Sequence, residues 1–290
     1  VVFSVHDYRF ICPAYLFLDG KNQICERCKS GSLLNCTIHK CSEGNRMQSL
    51  LLTADAYYRR YKMSPVKQAA AFIFVSQFIR NKYREFDQRY EDKAHTLYNF
   101  IPSLEKISPL HTKGSYFLFY GRLSREKGVD TLIQAAKNAG IPLVVAGTGS
   151  LSDKYKDHSD PNIQFVGHKT GAELWELVKN ASFVIVPSEW YENNPLTVLE
   201  SYGLGKPVIG ARIGGIPEIV IPGETGYLFE PGNIVELTEV LLKANKISDD
   251  EYLELSVQAR RFANKNFEPD QHYQKLLSIY KNTIKEFENL

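Results

Sequence analysis

The chain alternates short, apolar-rich runs with longer segments in which apolar positions recur at helical spacing. The runs at 1–5, 70–75, 95–98, 115–120, 143–146, 163–166 and 182–186 are too short for helices and read as strands. A further turn and strand fall at 224–229. Helical spacing occupies 46–62, 76–86, 129–138, 169–180, 195–204, 234–245 and 249–264, and an amphipathic run with Tyr273, Leu276, Leu277 and Tyr280 on one side closes the chain at 269–287. Strand and helix in alternation predict parallel sheet. Pro102 and Pro109 mark a linker within 99–113, which sets domains at 1–102 and 114–266, residues 103–113 between them, and a closing helix at 267–290.

Composition narrows this little. With 290 residues, 43% hydrophobic and 23% charged, the chain is long enough for two ordinary domains and too apolar for disorder. A net charge of +2 offers no field suited to nucleic acid. No apolar run approaches the roughly 20 residues that span a bilayer, and no signal peptide opens the chain, so a cytoplasmic location is expected. The chain starts at Val1, inside a strand and without methionine, and the expectation is a fragment lacking its front end. The segment 46–62 places Leu50, Leu51, Ala54 and Tyr58 near one face, with Arg46, Arg59, Arg60 and Lys62 available to solvent or anions. It reads as a domain helix with snorkelling cations, and alternatively as a peripheral contact with a membrane that carries a lipid-linked acceptor.

The stretch 187–220 holds the densest candidate chemistry. An apolar strand runs into a turn, and Asn194 followed by Pro195 signals a helix start, as N-cap and first helical position. The amides of Leu196 and Thr197 would then face the strand end, where the helix dipole also favours an anion, which makes a phosphate seat. Glu192 in the turn and Glu200 in the helix bracket that seat. Glu200, four residues beyond Leu196, shares its face and would accept hydrogen bonds from ligand hydroxyls. The plain alternative is a solvated turn residue and an exposed helix residue.

Other candidates follow the strands. GRLSREKG at 121–128 puts Arg122 and Lys127 after a strand and before a helix, where two cations can neutralise a diphosphate without a metal; alone, they would be surface charges. Gly147 and Gly149 permit close backbone approach or a tight turn. His6 closes the first strand, at the end where open parallel sheets carry ligands; otherwise it caps a strand or packs in a core. Cys12, Cys25, Cys28, Cys36 and Cys41 lie within 30 residues, and the C-x-x-C pair can supply two thiolates to a structural zinc. The remaining spacings fit no standard zinc pattern, so reduced thiols are the other reading; disulfides are not expected in a cytoplasmic enzyme.

Glu192 and Glu200, then Leu199 to Ser201, Gly205 to Ile209 and Gly214 to Glu218, resemble in order the nucleotide-sugar site of retaining glycosyltransferases of the GT-B superfamily, group 1 or GT4. The turn departs from many members, with Asn193, Asn194 and Pro195 where they have a glycine-rich segment. The resemblance implies an α/β fold of two Rossmann-like domains facing a cleft, the first lacking its opening strands here. It implies that Gly121, Arg122 and Lys127 open the donor domain and that the Arg and Lys grip the leaving diphosphate. Further implied are Gly147 at the donor, the base beside Gly167 and His168, the ribose on Glu200, sugar hydroxyls on Glu192, and His6 facing the transferred sugar. The donor would be a UDP or GDP sugar, the acceptor a glycan or a lipid-linked chain. No cofactor would be needed for catalysis, and polysaccharide biosynthesis would be the setting. Two other readings stay open: a GT-B epimerase or phosphorylase, although no motif for a pyridoxal phosphate lysine is seen, and a non-catalytic nucleotide-sugar binding module.

Overall fold

The computed structural model describes residues 1–101 and 108–288. Residues 102–107 of the expected linker, Pro102 among them, lie outside the described residues. The chain divides into two compact units, Val1–Asn99 with Asp270–Leu290, and Phe100–Pro269.

The first unit runs β1 (Val2–Val5), α1 (Asn35–Ile38), α2 (Arg46–Tyr58), α3 (Pro65–Gln68), β2 (Ala71–Phe74), α4 (Gln77–Phe86) and β3 (Ala94–Thr96). The second runs β4 (Tyr116–Tyr120), α5 (Val129–Ala139), β5 (Leu143–Ala146), β6 (Ile163–Gly167), α6 (Gly171–Asn180), β7 (Ala181–Val186), α7 (Leu196–Gly203), β8 (Val208–Ala211), α8 (Ile216–Ile219), β9 (Gly226–Phe229), α9 (Ile234–Lys246) and α10 (Asp249–Asn266). The closing helix, α11 (Pro269–Glu288), falls in the first unit from Asp270 onward, and there His272 Nδ1 lies 2.9 Å from Tyr98 O.

In the first unit, β1, β2 and β3 pair side by side and parallel, with Val5 opposite Phe74 and Phe74 opposite Thr96. All four residues of β2 are buried, as a central strand covered on both faces requires. Ser76 caps α4 by accepting from Ile79 N–H at 3.3 Å. The Tyr83 hydroxyl of α4 donates to Asp7 O at 2.9 Å and so anchors the loop that follows β1.

Two expectations change here. Cys12, Cys25, Cys28 and Cys36 are buried and Cys41 partly so, all as free thiols. Among the described residues no three His, Cys, Asp or Glu side chains gather where a metal ion could be held, so the expected zinc set of Cys12, Cys25, Cys28, Cys36 and Cys41 is not assembled. The physical reason is packing. Cys28 is a core residue beside Leu33 and Ala56, with Tyr57 and Phe86 against that cluster. Burial pushes the Cys12 thiol up to about 11 and the Cys28 thiol to about 12, as for neutral thiols in a packed core. The second change is α2, which turns Ser49, Thr53 and Ala56 inward and leaves Leu50, Leu51 and Tyr58 exposed.

The second unit is built on a six-stranded parallel sheet in the order β6-β5-β4-β7-β8-β9. Every residue of β7 is buried. Leu118 of β4 stands opposite Val184 of β7, and Phe117 stacks on Phe183 with ring centroids 5.9 Å apart. The chain leaves β4 outward through β5 and β6, then returns to the other side of β4 for β7, β8 and β9. The carboxyl ends of β4 and β7 therefore flank the point where strand order reverses, where the connecting loops diverge and leave a crevice.

Candidate active site

The loops after β4 and β7 supply most of the site. Past β4 the chain passes Gly121 and Arg122, makes one 3-10 turn at Arg125–Lys127, and enters α5. Past β7 it runs through Ser188, Trp190 and Glu192 to Pro195 and α7. Pro195 itself is the N-cap, with φ −66° and ψ 120° and no side-chain capping bond. This corrects the expected start, in which Asn194 caps and Pro195 is the first helical residue; the proline ring sets φ, but its ψ is extended. Val198 N–H donates to Pro195 O at 3.1 Å, so the amides of Leu196 and Thr197 precede the first backbone bond of the helix.

Glu192 is 7% exposed. Its Oε1 accepts from Lys127 Nζ at 2.6 Å, Ser188 Oγ at 2.7 Å and Trp190 Nε1 at 2.9 Å. Lys127 Nζ also stands 5.1 Å from the Trp190 ring centroid, a cation–π distance. Three donors on one oxygen leave the carboxylate nearly fixed. Its backbone is held as firmly, since Gly215 N–H donates to Glu192 O at 2.7 Å. A Cβ on Gly214 would come 2.2 Å from that oxygen, and φ there is +62°, so the close approach requires glycine.

Glu200 projects from α7 toward β4. The Tyr120 hydroxyl lies 3.1 Å from Glu200 Oε2 and 3.0 Å from Thr197 O, so its one proton is shared between them. Burial raises the Glu200 carboxyl above its ordinary value, and the tyrosine bond offsets part of that rise. Burial likewise holds the Tyr120 phenol well above its usual range, keeping it a donor.

Arg122 is exposed and pairs with Glu126 Oε1 at 3.1 Å; Glu126 in turn accepts from Ser124 Oγ at 2.7 Å. Each of the two expected diphosphate cations thus has a carboxylate counter-ion. Gly147 follows β5 directly, and a Cβ there would come 1.8 Å from Gly121 O, so the backbones after two strands touch through glycine; its N–H donates to Gly167 O at 2.8 Å.

These side chains line two adjoining hollows that share Tyr120, Gly121 and Arg122. One also contains Lys127, Glu192, Pro195 and Thr197. The other contains Gly147, His168 and Glu200. Asn194, which precedes Pro195 in the chain, is buried, while Leu196 is half exposed. His6 ends β1 in the other unit, exposed at its surface, and the five cysteines belong to that unit too. Sequence reasoning missed Tyr120, Glu126, Ser188 and Trp190. Only Glu126 carried a signal, its i,i+4 spacing from Arg122.

The family model for glycosyl transferases group 1 matches residues 101–265. An uncharacterized glycosyltransferase of Methanocaldococcus jannaschii is 33% identical over 177 residues, covering 59% of this chain and 48% of that one. The glycogen synthase of Mycobacterium tuberculosis is 35% identical over 130 residues, covering 41% and 31%. The chain thus spans half or less of the length of these curated relatives. Among solved structures, Anabaena HepE in complex with UDP and glucose superposes with a TM-score of 0.67 at 18% identity, over 97% of this chain and 71% of that one.

Proposed function

Since the chain belongs to the glycosyl transferases group 1 family and its α/β fold is of the GT-B class, we propose that the second unit seats the donor of a retaining, metal-independent hexosyl transfer from a nucleotide diphosphate sugar. The observation that carries this reading is the meeting of Arg122, Lys127, Glu192, Glu200 and the start of α7 at one switch point of one sheet. The diphosphate would lie against Arg122, Lys127 and the first amides of α7, with the ribose on Glu200. Lys127 Nζ carries three protons and gives one to Glu192, so it can hold a phosphate oxygen without leaving its partner. All three donors to Glu192 land on Oε1, which supports a reading in which Oε2 accepts from the sugar hydroxyls.

As the bond from the anomeric carbon to the phosphate oxygen breaks, negative charge gathers on the departing diphosphate. Cations and amides already in place stabilise it more than they stabilise the bound donor. The acceptor oxygen attacks from the same face, and its proton passes to the phosphate oxygen that leaves. The leaving group thereby serves as the base, and the acceptor is a glycan or a lipid-linked chain.

HepE is the structure in complex with UDP and glucose, which supports UDP as the first nucleotide to test. Calorimetric titration with UDP and with GDP, both in EDTA, is expected to show micromolar binding of one of them. Absence of binding to both would overturn the reading.

A further inference from the structure

Helix α2 turns a mostly small and polar face inward, with Leu52 and Tyr57 only partly buried beside it. The inward side of a surface helix is ordinarily its apolar one. In α2 the residues buried against the protein are Ser49, Thr53 and Ala56, and their hydroxyls are satisfied locally. Ser49 Oγ donates to Asn45 O at 2.7 Å, and Thr53 Oγ1 to Ser49 O at 2.8 Å. Solvent instead meets Met47 (68% exposed), Leu50, Leu51 (65%) and Tyr58, a stripe at i, i+3, i+4 and i+11 that continues into Tyr61 (68%) on the following turn. Leu34, which precedes the adjoining α1, and Ile38 at its end are exposed as well.

The charge around this stripe is mostly positive. Residues 34–63 hold five Lys and Arg against two Asp and Glu, a net +3, where the whole chain carries +2. Lys40, Arg46, Arg60 and Lys62 are all exposed. Asp55, the one acid within 46–63, is paired with Arg59 at 2.8 Å.

We propose that the outward face of α2, with Met47, Leu50, Leu51, Tyr58 and Tyr61 as its inserted side chains, docks on an anionic lipid bilayer. Long basic side chains around an apolar stripe reach lipid phosphates while their stems lie along the acyl boundary, and tyrosine suits that boundary with a ring below and a hydroxyl above. A two-fold contact with a second copy would set this cationic rim against itself, which argues against that occupant. The assignment goes beyond the donor chemistry and depends on none of it.

The test is cosedimentation of the full chain with vesicles of phosphatidylcholine alone and with vesicles containing about 30% phosphatidylglycerol. Binding to the anionic vesicles is expected to exceed binding to the neutral ones at least about tenfold and to weaken with added salt. Leu50→Asp with Leu51→Asp should abolish it without altering UDP affinity or thermal stability, because both side chains are exposed. Arg60→Glu with Lys62→Glu should remove the preference for anionic lipid. No binding by the parent chain, or equal binding by the Leu50/Leu51 variant, would overturn the proposal. So would a concentration-dependent dimer that the same variant abolishes, with no vesicle binding, since the stripe would then belong to a second copy.

Discussion

Lys127 and Glu192 are joined at 2.6 Å across the two loops that flank the strand-order reversal, 65 residues apart in sequence. The pair is mostly buried, with side chains 24% and 9% exposed, so solvent screens it weakly. Truncating either side leaves the other charge without its partner, a costlier change than losing a surface ion pair. The carboxylate holds the lysine beside the start of α7, where the proposed reading puts the diphosphate. Glu192 is on this view a positioning group for the cation as well as an acceptor for the sugar.

Lys127→Ala and Arg122→Ala are each expected to lower turnover more than about tenfold, through loss of charge stabilisation on the departing diphosphate. The lysine variant should be the more damaging, because it also frees Glu192, whereas Arg122 is exposed and its partner Glu126 can be hydrated. Steady-state kinetics beside thermal melts separate the two effects. Rates unchanged in both variants would remove the cations from the mechanism.

Tyr120→Phe isolates the support of Glu200. The phenol donates to the carboxylate and so holds its pKa down against the larger upward effect of burial. On the proposed reading the ionised carboxylate is the form that accepts from both ribose hydroxyls. UDP affinity should therefore fall as pH drops through a Glu200 value that already lies above that of an ordinary glutamate. In Tyr120→Phe this acid limb should move to higher pH, and affinity at neutral pH should fall by about 1 kcal/mol, roughly fivefold. Titrations of both proteins between pH 5 and 8 decide it; limbs that coincide would show that Tyr120 does not act through Glu200.

A separate prediction concerns stability. Lys206 is fully buried, its Nζ donating to Thr112 O at 2.9 Å and standing 5.8 Å from the Tyr252 ring centroid. Burial lowers its pKa from 10.5 to about 8. Between those values the unfolded chain binds the proton that the folded chain releases, so stability rises with pH through this window, and the cost of the buried charge is fully present below it. The shift corresponds to on the order of 3 kcal/mol. Lys206→Met should lose this dependence. The stability of the parent relative to the variant should thus climb from pH 8 to pH 10, measured by denaturant unfolding at each pH; a constant difference would mean that the amine does not titrate in that range.

The legible parts of the fold were those coded locally. A strand such as β7 shows as an apolar run because both its faces are covered, and Ser76 shows as a cap because a hydroxyl before a helix satisfies a nearby amide. Arg122, Lys127, Glu192 and Glu200 stood out by residue type and spacing. Their supports did not: Tyr120 reaches Glu200 across 80 residues, and Ser188 and Trp190 become donors only once the loop after β7 folds around the carboxylate. The start of α7 was misread by one residue, because a proline's φ is fixed by its ring while its ψ is set by the surrounding loop.

The sequence by itself determined which residues share a strand or a helix face, since periods of two and of 3.6 are properties of the backbone. Only the tertiary structure decided which way a face points and which strands become neighbours. The stripe of α2 was readable as one face, yet its outward direction goes with Ser49 accepting from Ser42 N–H and Thr53 accepting from the Thr37 hydroxyl on the inner side. The strand order β6-β5-β4-β7-β8-β9, which creates the crevice, rests on pairings between distant segments that no local pattern encodes.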